Sequence, residues 1–341
     1  MNVLSLFNGM STGHTALDNV GIKVNKYYSS EIKPAAIKLT QHHYPDTIQL
    51  GDVTKWKEWD INWEEIDMVL SGSPCQDLSI AGKRKGLYGS RSSLFFVFVD
   101  ILNHIKKLNP NVLFLQENVG SASRGDVGIM SRELGIYPVR INSSLVTAQL
   151  RDRYYWSNIR IKPDGLSGDV VTDIPQPKDR KIMFKDIVTK GSVNKNKHCC
   201  LNTKSGRGGS QKSLIHRDNT TGMISLIYVE DQEVRVKTNT TKGYDVVTED
   251  DCIDLSFPNS KTRRGRVTKG KSPCLMEGSN NLYSLDNFTV RTVNKVEMCR
   301  LQGFPDDWCD ILTTSQAGSL LGDGWTLPII EHIFSFIKDK I

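Results

Sequence analysis

The chain has 341 residues, 38% of them hydrophobic and 24% charged, with 44 Lys and Arg against 38 Asp and Glu for a net charge of +6. This length holds one large core and a smaller module, and the composition is that of a globular chain, which excludes a peptide effector, a disordered tail and a collagen-like repeat. Seven cysteines without a CxxC pair imply neither a disulfide framework nor a zinc knuckle, and the mild basic excess fits a polyanionic partner without establishing one.

From the N-terminus, the apolar MNVLSLF (1–7) runs straight into Asn8, Gly9 and Gly13 with no basic segment before it, which predicts a buried first strand rather than a signal peptide. No later run approaches the roughly 18 apolar residues of a membrane span, so a soluble cytoplasmic, nucleoid-associated protein is expected, with no membrane partner. Short apolar runs at 3–7, 23–28, 68–70, 112–115 and 153–159 alternate with polar, helix-compatible stretches, a spacing that favours a parallel sheet with covering helices. SSLFFVFVDILNHIKK (92–107) is apolar on one broad face, starts in serines and ends in lysines; it predicts a helix whose Phe95, Phe96 and Phe98 pack on that sheet.

Beyond about residue 165 the texture changes. Pro175 and Pro177 punctuate a linker-like stretch, and residues 190–285 are rich in Gly, Ser, Thr, Asn and Lys with only short strand-like runs such as 223–229. An acidic patch from Glu230 to Asp254 precedes a run holding Lys261, Arg263, Arg264, Arg266, Lys269 and Lys271 and no acidic residue. Order returns over the last 40 or so residues, where a turn opens into an amphipathic helix near Pro328.

Several short segments carry chemistry-bearing residues. FNGMSTG (7–13) follows a predicted strand, where its glycines let backbone approach a ligand, although a plain turn reads the same way. Glu31 and Asp52 lie beyond two strand ends on one edge of the sheet, suited to ribose hydroxyls or simply to helix starts. Cys75, in SGSPCQDLS, reads as a rim thiolate or as a small buried thiol. LFLQENV (113–119) places Glu117 and Asn118 at a strand end, as a general acid or an ordinary loop acid. AQLRDRYYW (148–156) sets Gln149, Arg151 and Arg153 on one side of an extended chain, facing phosphate or carbonyl oxygens, or solvent along an edge. His198, Cys199, Cys200 and His216 lack ligand spacing, and no metal is expected.

In this order the segments resemble the conserved motifs of the C5-cytosine DNA methyltransferase family over essentially the whole chain. VEMCRLQGFPDDW (296–308) and GDGWTLPIIEHIF (322–334) extend the likeness to the C-terminal end. FNGMSTG stands where many bacterial members have Phe-x-Gly-x-Gly, and Asp323 stands where Asn is usual; with Trp325, both variations are closer to the vertebrate de novo branch. Because the first motif begins at residue 7, a stand-alone bacterial or phage-type enzyme is expected.

The resemblance implies an α/β fold, a Rossmann-like methyltransferase sheet, mostly parallel with helices on both faces. Residues 1–175, completed by 300–341, would form the catalytic and cofactor-binding domain, and 176–299 a small inserted target-recognition domain. It implies S-adenosyl-L-methionine as cofactor, released as S-adenosyl-L-homocysteine, near Phe7, Asn8, Gly9, Ser11, Thr12, Gly13, Glu31, Ile32, Asp52, Val53, Pro74, Leu94, Asp323, Gly324 and Trp325. Cys75 would attack C6 of a flipped-out cytosine in double-stranded DNA, Glu117 would hold N3, Arg153 O2, and Arg151 the Cys75 loop or a phosphate. The basic run would meet DNA phosphates, and Lys83, Arg84, Lys85 and Arg91 a closing loop. A cognate restriction endonuclease is a candidate partner, and monomeric action is expected. An RNA cytosine-5 methyltransferase and a catalytically silent DNA-binding protein are the alternatives.

Overall fold

The structure, a computed structural model, describes residues 1–74, 94–165, 167–203, 205, 225–230, 234–238, 240–247, 252–254, 266–269, 282–284 and 288–339. It divides into two compact units, one of residues 1–187, 196–207 and 294–341, the other of 188–195 and 208–293. Among the described residues no helix is long and apolar enough to cross a membrane.

The larger unit is built on a seven-stranded sheet of β1 (Asn2–Leu6), β2 (Lys26–Ser30), β3 (Ile48–Gln49), β4 (Met68–Ser71), β5 (Leu113–Val119), β6 (Val139–Asn142) and β7 (Asp152–Ser157), in the order β3-β2-β1-β4-β5-β7-β6. The first five strands run parallel, and β7 enters antiparallel to both β5 and β6. Strands β1 and β4 and the first three residues of β5 are largely apolar, and all three strands are buried on both faces, as the inner strands of a covered parallel sheet must be. The predicted parallel sheet is thus correct for its first five strands, and the family's mostly parallel α/β fold is the observed one.

Strand β5 differs from expectation in length. The apolar run stops at Leu115, yet the strand continues to Val119 because Glu117 pairs with Tyr155 and Val119 with Arg153 of β7. Backbone ladder bonds, which the side-chain pattern does not reveal, carry the polar Gln116, Glu117 and Asn118 into the sheet.

The helices are local solutions to capping and burial. Helix α1 (Thr12–Asn19) starts from Ser11, and α2 (Pro34–His43) carries Pro34 in its first turn, where the missing N–H has no intrahelical partner to lose. In α3 (Leu94–Leu108) Phe95, Phe98, Val99, Ile101, Leu102 and Ile105 form the buried stripe, with Lys106 and Lys107 at the negative end of the helix dipole; Phe96 is only partly buried. Ser123 caps α4 (Arg124–Leu134), which ends at Gly135 with φ +71°. Reciprocal capping boxes, Asn294 with Glu297 and Thr313 with Gln316, open α5 (Lys295–Gln302) and α6 (Thr314–Asp323). The closing helix, α7 (Leu327–Phe334), buries six of its eight residues and packs on α1, where Asn19 Nδ2 donates to Glu331 Oε1 at 2.6 Å.

The larger unit also carries an antiparallel pair, β8 (Ile161–Pro163) and β9 (Val170–Thr172), and the smaller unit consists of antiparallel pieces. Strands β10 (Ser192–Val193), β11 (Ile227–Glu230) and β17 (Phe288–Arg291) form one sheet, β12 (Val234–Lys237) and β13 (Tyr244–Val247) a hairpin, and β14 (Cys252–Asp254), β15 (Arg266–Thr268) and β16 (Leu282–Ser284) a third sheet. Of the basic run, only Arg266 and Lys269 lie within the described residues; Arg266 pairs with Asp254 in the β15–β14 ladder, and Lys269 Nζ donates to Val246 O at 2.7 Å.

Candidate active site

The strand order reverses at β1, whose neighbours β2 and β4 are entered by connections on opposite sides; in open α/β sheets ligands bind outside the carboxyl ends of strands at such a switch point. The loop leaving β1 is shaped for that position. Phe7, Gly9 and Ser11 take left-handed φ of +56°, +60° and +59°, a costly sequence for two non-glycine residues that needs support from its surroundings. Support is present: Asn8 Nδ2 donates to Ser11 Oγ (2.8 Å) and Thr40 Oγ1 (3.2 Å), and Tyr27 O–H donates to Asn8 Oδ1 (3.1 Å).

Glu31, directly after β2, is locked to the same loop. Its Oε2 accepts from Gly9 N at 2.9 Å, and its Oε1 from Ile32 N and Lys33 N at 2.8 and 2.9 Å. Asp52 follows β3, and its Oδ1 accepts from the backbone N–H and the hydroxyl of Thr54, both at 2.9 Å, which holds this carboxyl below its ordinary pKa. The reading of two carboxylates beyond strand ends on one edge is therefore the observed placement.

Across the crevice, Glu117 projects from β5. Its Oε1 lies 2.9 Å from Arg153 Nε, and its Oε2 accepts from Trp325 Nε1 at 3.0 Å. The Glu117 side chain is 11% exposed, so both donors act in a partly desolvated setting where charged hydrogen bonds count for more. Glu117 is not beyond the end of its strand, as the sequence implied, but inside it. The pairing with β7 that lengthens β5 also brings Arg153 to the carboxylate.

Arg151 is turned into the protein rather than toward a phosphate, while the Cys75 loop, the other partner expected of it, lies outside the described residues. It is 2% exposed, and its guanidinium donates to Gly322 O (3.1 Å), Gly324 O (2.8 Å), Leu201 O (3.3 Å) and Cys200 Sγ (3.3 Å). These donors fasten the end of α6, Gly324 just past it and the Cys200–Leu201 stretch instead of facing a phosphate, and a solvated edge is ruled out. Gln149, also fully buried, works alongside: its Nε2 donates to Leu301 O at 3.1 Å and its Oε1 accepts from Leu201 N at 2.8 Å.

Glu31, Asp52, Glu117, Arg151 and Arg153 border one cavity of ≈ 280 Å³. Every expected cofactor residue lines it except Ser11, which is fully buried behind the loop; Glu117, Arg151 and Arg153 line it too. Cys75 lies outside the described residues, as do Lys83, Arg84, Lys85, Arg91 and His216, while Pro74, next to Cys75 in sequence, lines the cavity. His198 packs edge-on against Phe184, and among the described residues no cluster of His, Cys, Asp and Glu is arranged to hold a metal ion.

Sequence reasoning missed three contributors. Lys33 Nζ pairs with Asp323 Oδ2 at 2.6 Å, so the acid standing at 323 has its charge met by a lysine on the opposite rim. Gly72, just past β4, leaves room for the indole: a Cβ there would lie 2.8 Å from Trp325 Nε1. Gln302 Nε2 donates to Gly324 O at 3.3 Å and its Oε1 accepts from Thr326 Oγ1 at 2.9 Å, behind the same segment. The glycine in SGSP was the one local signal; the other two depend on partners far along the chain.

A doubly wound sheet with this cavity at its switch point defines an α/β enzyme that binds a nucleoside-containing cofactor. The chain belongs to the C-5 cytosine-specific DNA methylase family, whose model matches residues 1–339. It is 26% identical over 426 aligned positions to the Type II methyltransferase M.NlaIV of Neisseria lactamica, covering 97% of each chain. Its fold is shared with EhMeth of Entamoeba histolytica (TM-score 0.56, 15% identity, 100% of this chain and 98% of that one) and with the Dnmt2 methyltransferase of S. pombe (TM-score 0.52, 16% identity, 100% and 99%).

Membership makes the chain a methyltransferase that uses S-adenosyl-L-methionine, with cytosine C5 of a nucleic acid as acceptor. The cavity fits that cofactor. Asp52 keeps Oδ2 clear of its turn, Glu31 has a lone pair left beside three backbone donors, and Ile32, 69% exposed on the cavity rim, offers an apolar surface that an adenine would cover.

Proposed function

We propose that this chain methylates C5 of a cytosine flipped out of duplex DNA, through a transient bond between Cys75 and C6. One observation carries the reading. Glu117, braced by Arg153 and Trp325, faces the same cavity as Glu31 and Asp52, so the groups suited to a pyrimidine and those suited to a nucleoside cofactor meet in one space.

The chemistry follows from the acceptor. C5 of cytosine is a weak nucleophile until a thiolate adds to C6, which moves the C5–C6 π pair onto C5 and the ring. Glu117, as the acid, shares its proton with N3 and so takes up charge that develops there, while Arg153, next to it, holds O2. When bound, S-adenosyl-L-methionine supplies a methyl group made electrophilic by its sulfonium sulfur. Loss of the C5 proton to a base, with water the simplest candidate, returns an electron pair to the ring, the S–C6 bond breaks, and 5-methylcytosine and the Cys75 thiolate are regenerated. Glu31 would accept from the ribose hydroxyls and Asp52 from the adenine amine, with Phe7, Ile32, Val53, Leu94 and Trp325 around the ring, and Asn8, Gly9, Thr12, Gly13, Pro74, Asp323 and Gly324 forming the remaining walls. Arg151 acts by holding Gly322 and Gly324 in place.

Base flipping follows because protein cannot enclose the C5–C6 edge inside a stacked duplex, and a few kcal/mol of unstacking is returned by pocket contacts. The description of the family as DNA methylases supports DNA as acceptor. The smaller unit is assigned to target recognition, with Arg266 and Lys269 the described members of its basic run. The same reading makes the chain a monomeric cytoplasmic partner of a cognate restriction endonuclease.

Cytosine in RNA is the second reading: the cavity groups address the base, which both acceptors share, and EhMeth and Dnmt2 show the same fold over the whole chain. Methyl transfer from labelled cofactor to duplex DNA and to RNA of equal sequence separates the two. Label in DNA, lost in Cys75→Ala, is the expected result; label confined to RNA overturns the DNA assignment.

A further inference from the structure

Trp325 differs from Phe7, which also lines the cavity, because its polar edge is committed to the acceptor side. The indole Nε1 donates to Glu117 Oε2 at 3.0 Å, while Arg153 Nε holds Oε1 at 2.9 Å. A glutamate's terminal torsion is broad and roughly two-fold, so one donor leaves the carboxylate plane free to turn, whereas donors on both oxygens fix it.

The indole is itself held from behind. Gly324 O, immediately before it, accepts from Arg151 Nη2 at 2.8 Å and Gln302 Nε2 at 3.3 Å, and Thr326 Oγ1, immediately after it, donates to Gln302 Oε1 at 2.9 Å and meets Ser143 Oγ at 2.8 Å. On its other side Gly72 makes room, since a Cβ there would stand 2.8 Å from Nε1. Buried polar groups are concentrated here on a single tryptophan, more than a hydrophobic wall requires.

We propose that Trp325 is a positioning residue for methyl transfer: its N–H sets the orientation of the Glu117 carboxylate toward the pyrimidine, and the buried Arg151 and Gln302 act through it. The inference rests on the assignment of Glu117 to the acceptor base. It adds to the cofactor contact expected of Trp325 a role in the chemical step.

The test is steady-state methyl transfer to duplex DNA by Trp325→Phe, Glu117→Ala and the double variant. Trp325→Phe keeps an aromatic ring and removes the N–H; the expected result is a kcat about 10-fold lower with the KM for S-adenosyl-L-methionine within about twofold of wild type. In the Glu117→Ala background the same replacement is expected to change kcat less than about twofold, because the bond is already gone. An unchanged kcat for Trp325→Phe, a change in cofactor KM alone, or an equal loss in both backgrounds overturns the proposal. Full activity of Glu117→Ala would instead bring down the assignment of Glu117. If Trp325→Phe does not fold, a benzothienylalanine at position 325, which keeps the bicyclic shape and lacks only the donor, is expected to show the same kcat loss, and wild-type kcat there refutes the idea.

Discussion

Trp325 and Glu117 are 208 positions apart in the chain and 3.0 Å apart in the fold, joined by a hydrogen bond from indole to carboxylate. The closing segment of the chain therefore completes the acceptor side of the cavity as well as its rim. Glu117→Gln keeps the shape and an acceptor but removes the ionisable group, and it is expected to lower kcat by roughly 10²-fold or more, read as labelled methyl transfer at saturating cofactor. Cofactor binding by the same variant, measured by calorimetry, is expected to stay near wild type.

Arg151→Ala is expected to damage the fold before it damages the chemistry. Removing the guanidinium leaves Leu201 O, Gly322 O and Gly324 O without these donors in a buried setting, a loss of roughly 3 kcal/mol or more in unfolding free energy. Denaturant unfolding followed by fluorescence checks this. Arg151→Lys, with no planar fork, is expected to recover only part of it.

Gly72→Ala tests the close approach of the indole. The added methyl group would stand 2.8 Å from Trp325 Nε1, so the indole or the Gly72 backbone must give, at the bond that joins the indole to Glu117. The expected outcome is a several-fold fall in kcat with little change in melting temperature, the reverse of the pattern for Arg151→Ala.

His14 gives the fold an acid-side limit. Its ring is stacked between Tyr27 and Tyr44, with centroids at 4.4 and 3.9 Å, and burial pushes its pKa from 6.5 down to about 4. The unfolded chain takes up this proton near pH 6.5 and the folded chain only near pH 4, so the stabilising contribution is complete above 6.5 and is lost as pH falls toward 4. The two tyrosines, both shifted upward by burial, do not titrate in this window. Melting temperatures between pH 7.5 and 4.5 are expected to fall less steeply for His14→Phe than for wild type.

Where local pattern and tertiary context agree, the sequence is readable. The apolar runs at 3–7 and 68–70 became β1 and β4, and the amphipathic stretch at 92–107 became α3 from Leu94 to Leu108. Glu31 and Asp52 were legible because the first follows β2 directly and the second lies three residues past β3. The continuation of β5 through Glu117 was hidden, since it depends on antiparallel pairing with β7, and the burial of Arg151 was hidden because its acceptors lie 49 to 173 positions away. The pairing of Lys33 with Asp323 spans 290 positions and leaves no trace in either local segment.

The most direct test of the account is covalent trapping. A duplex carrying 5-fluorocytosine in the target position accepts the methyl group but has no C5 proton to lose, so an enzyme that works through C6 addition remains bonded to it. Incubation with S-adenosyl-L-methionine followed by peptide mass mapping is predicted to find the methylated fluoropyrimidine on Cys75 in the wild type and nowhere in Cys75→Ala. Turnover of ordinary cytosine to 5-methylcytosine with no trapped complex, or an adduct on another residue such as Cys200, would contradict it.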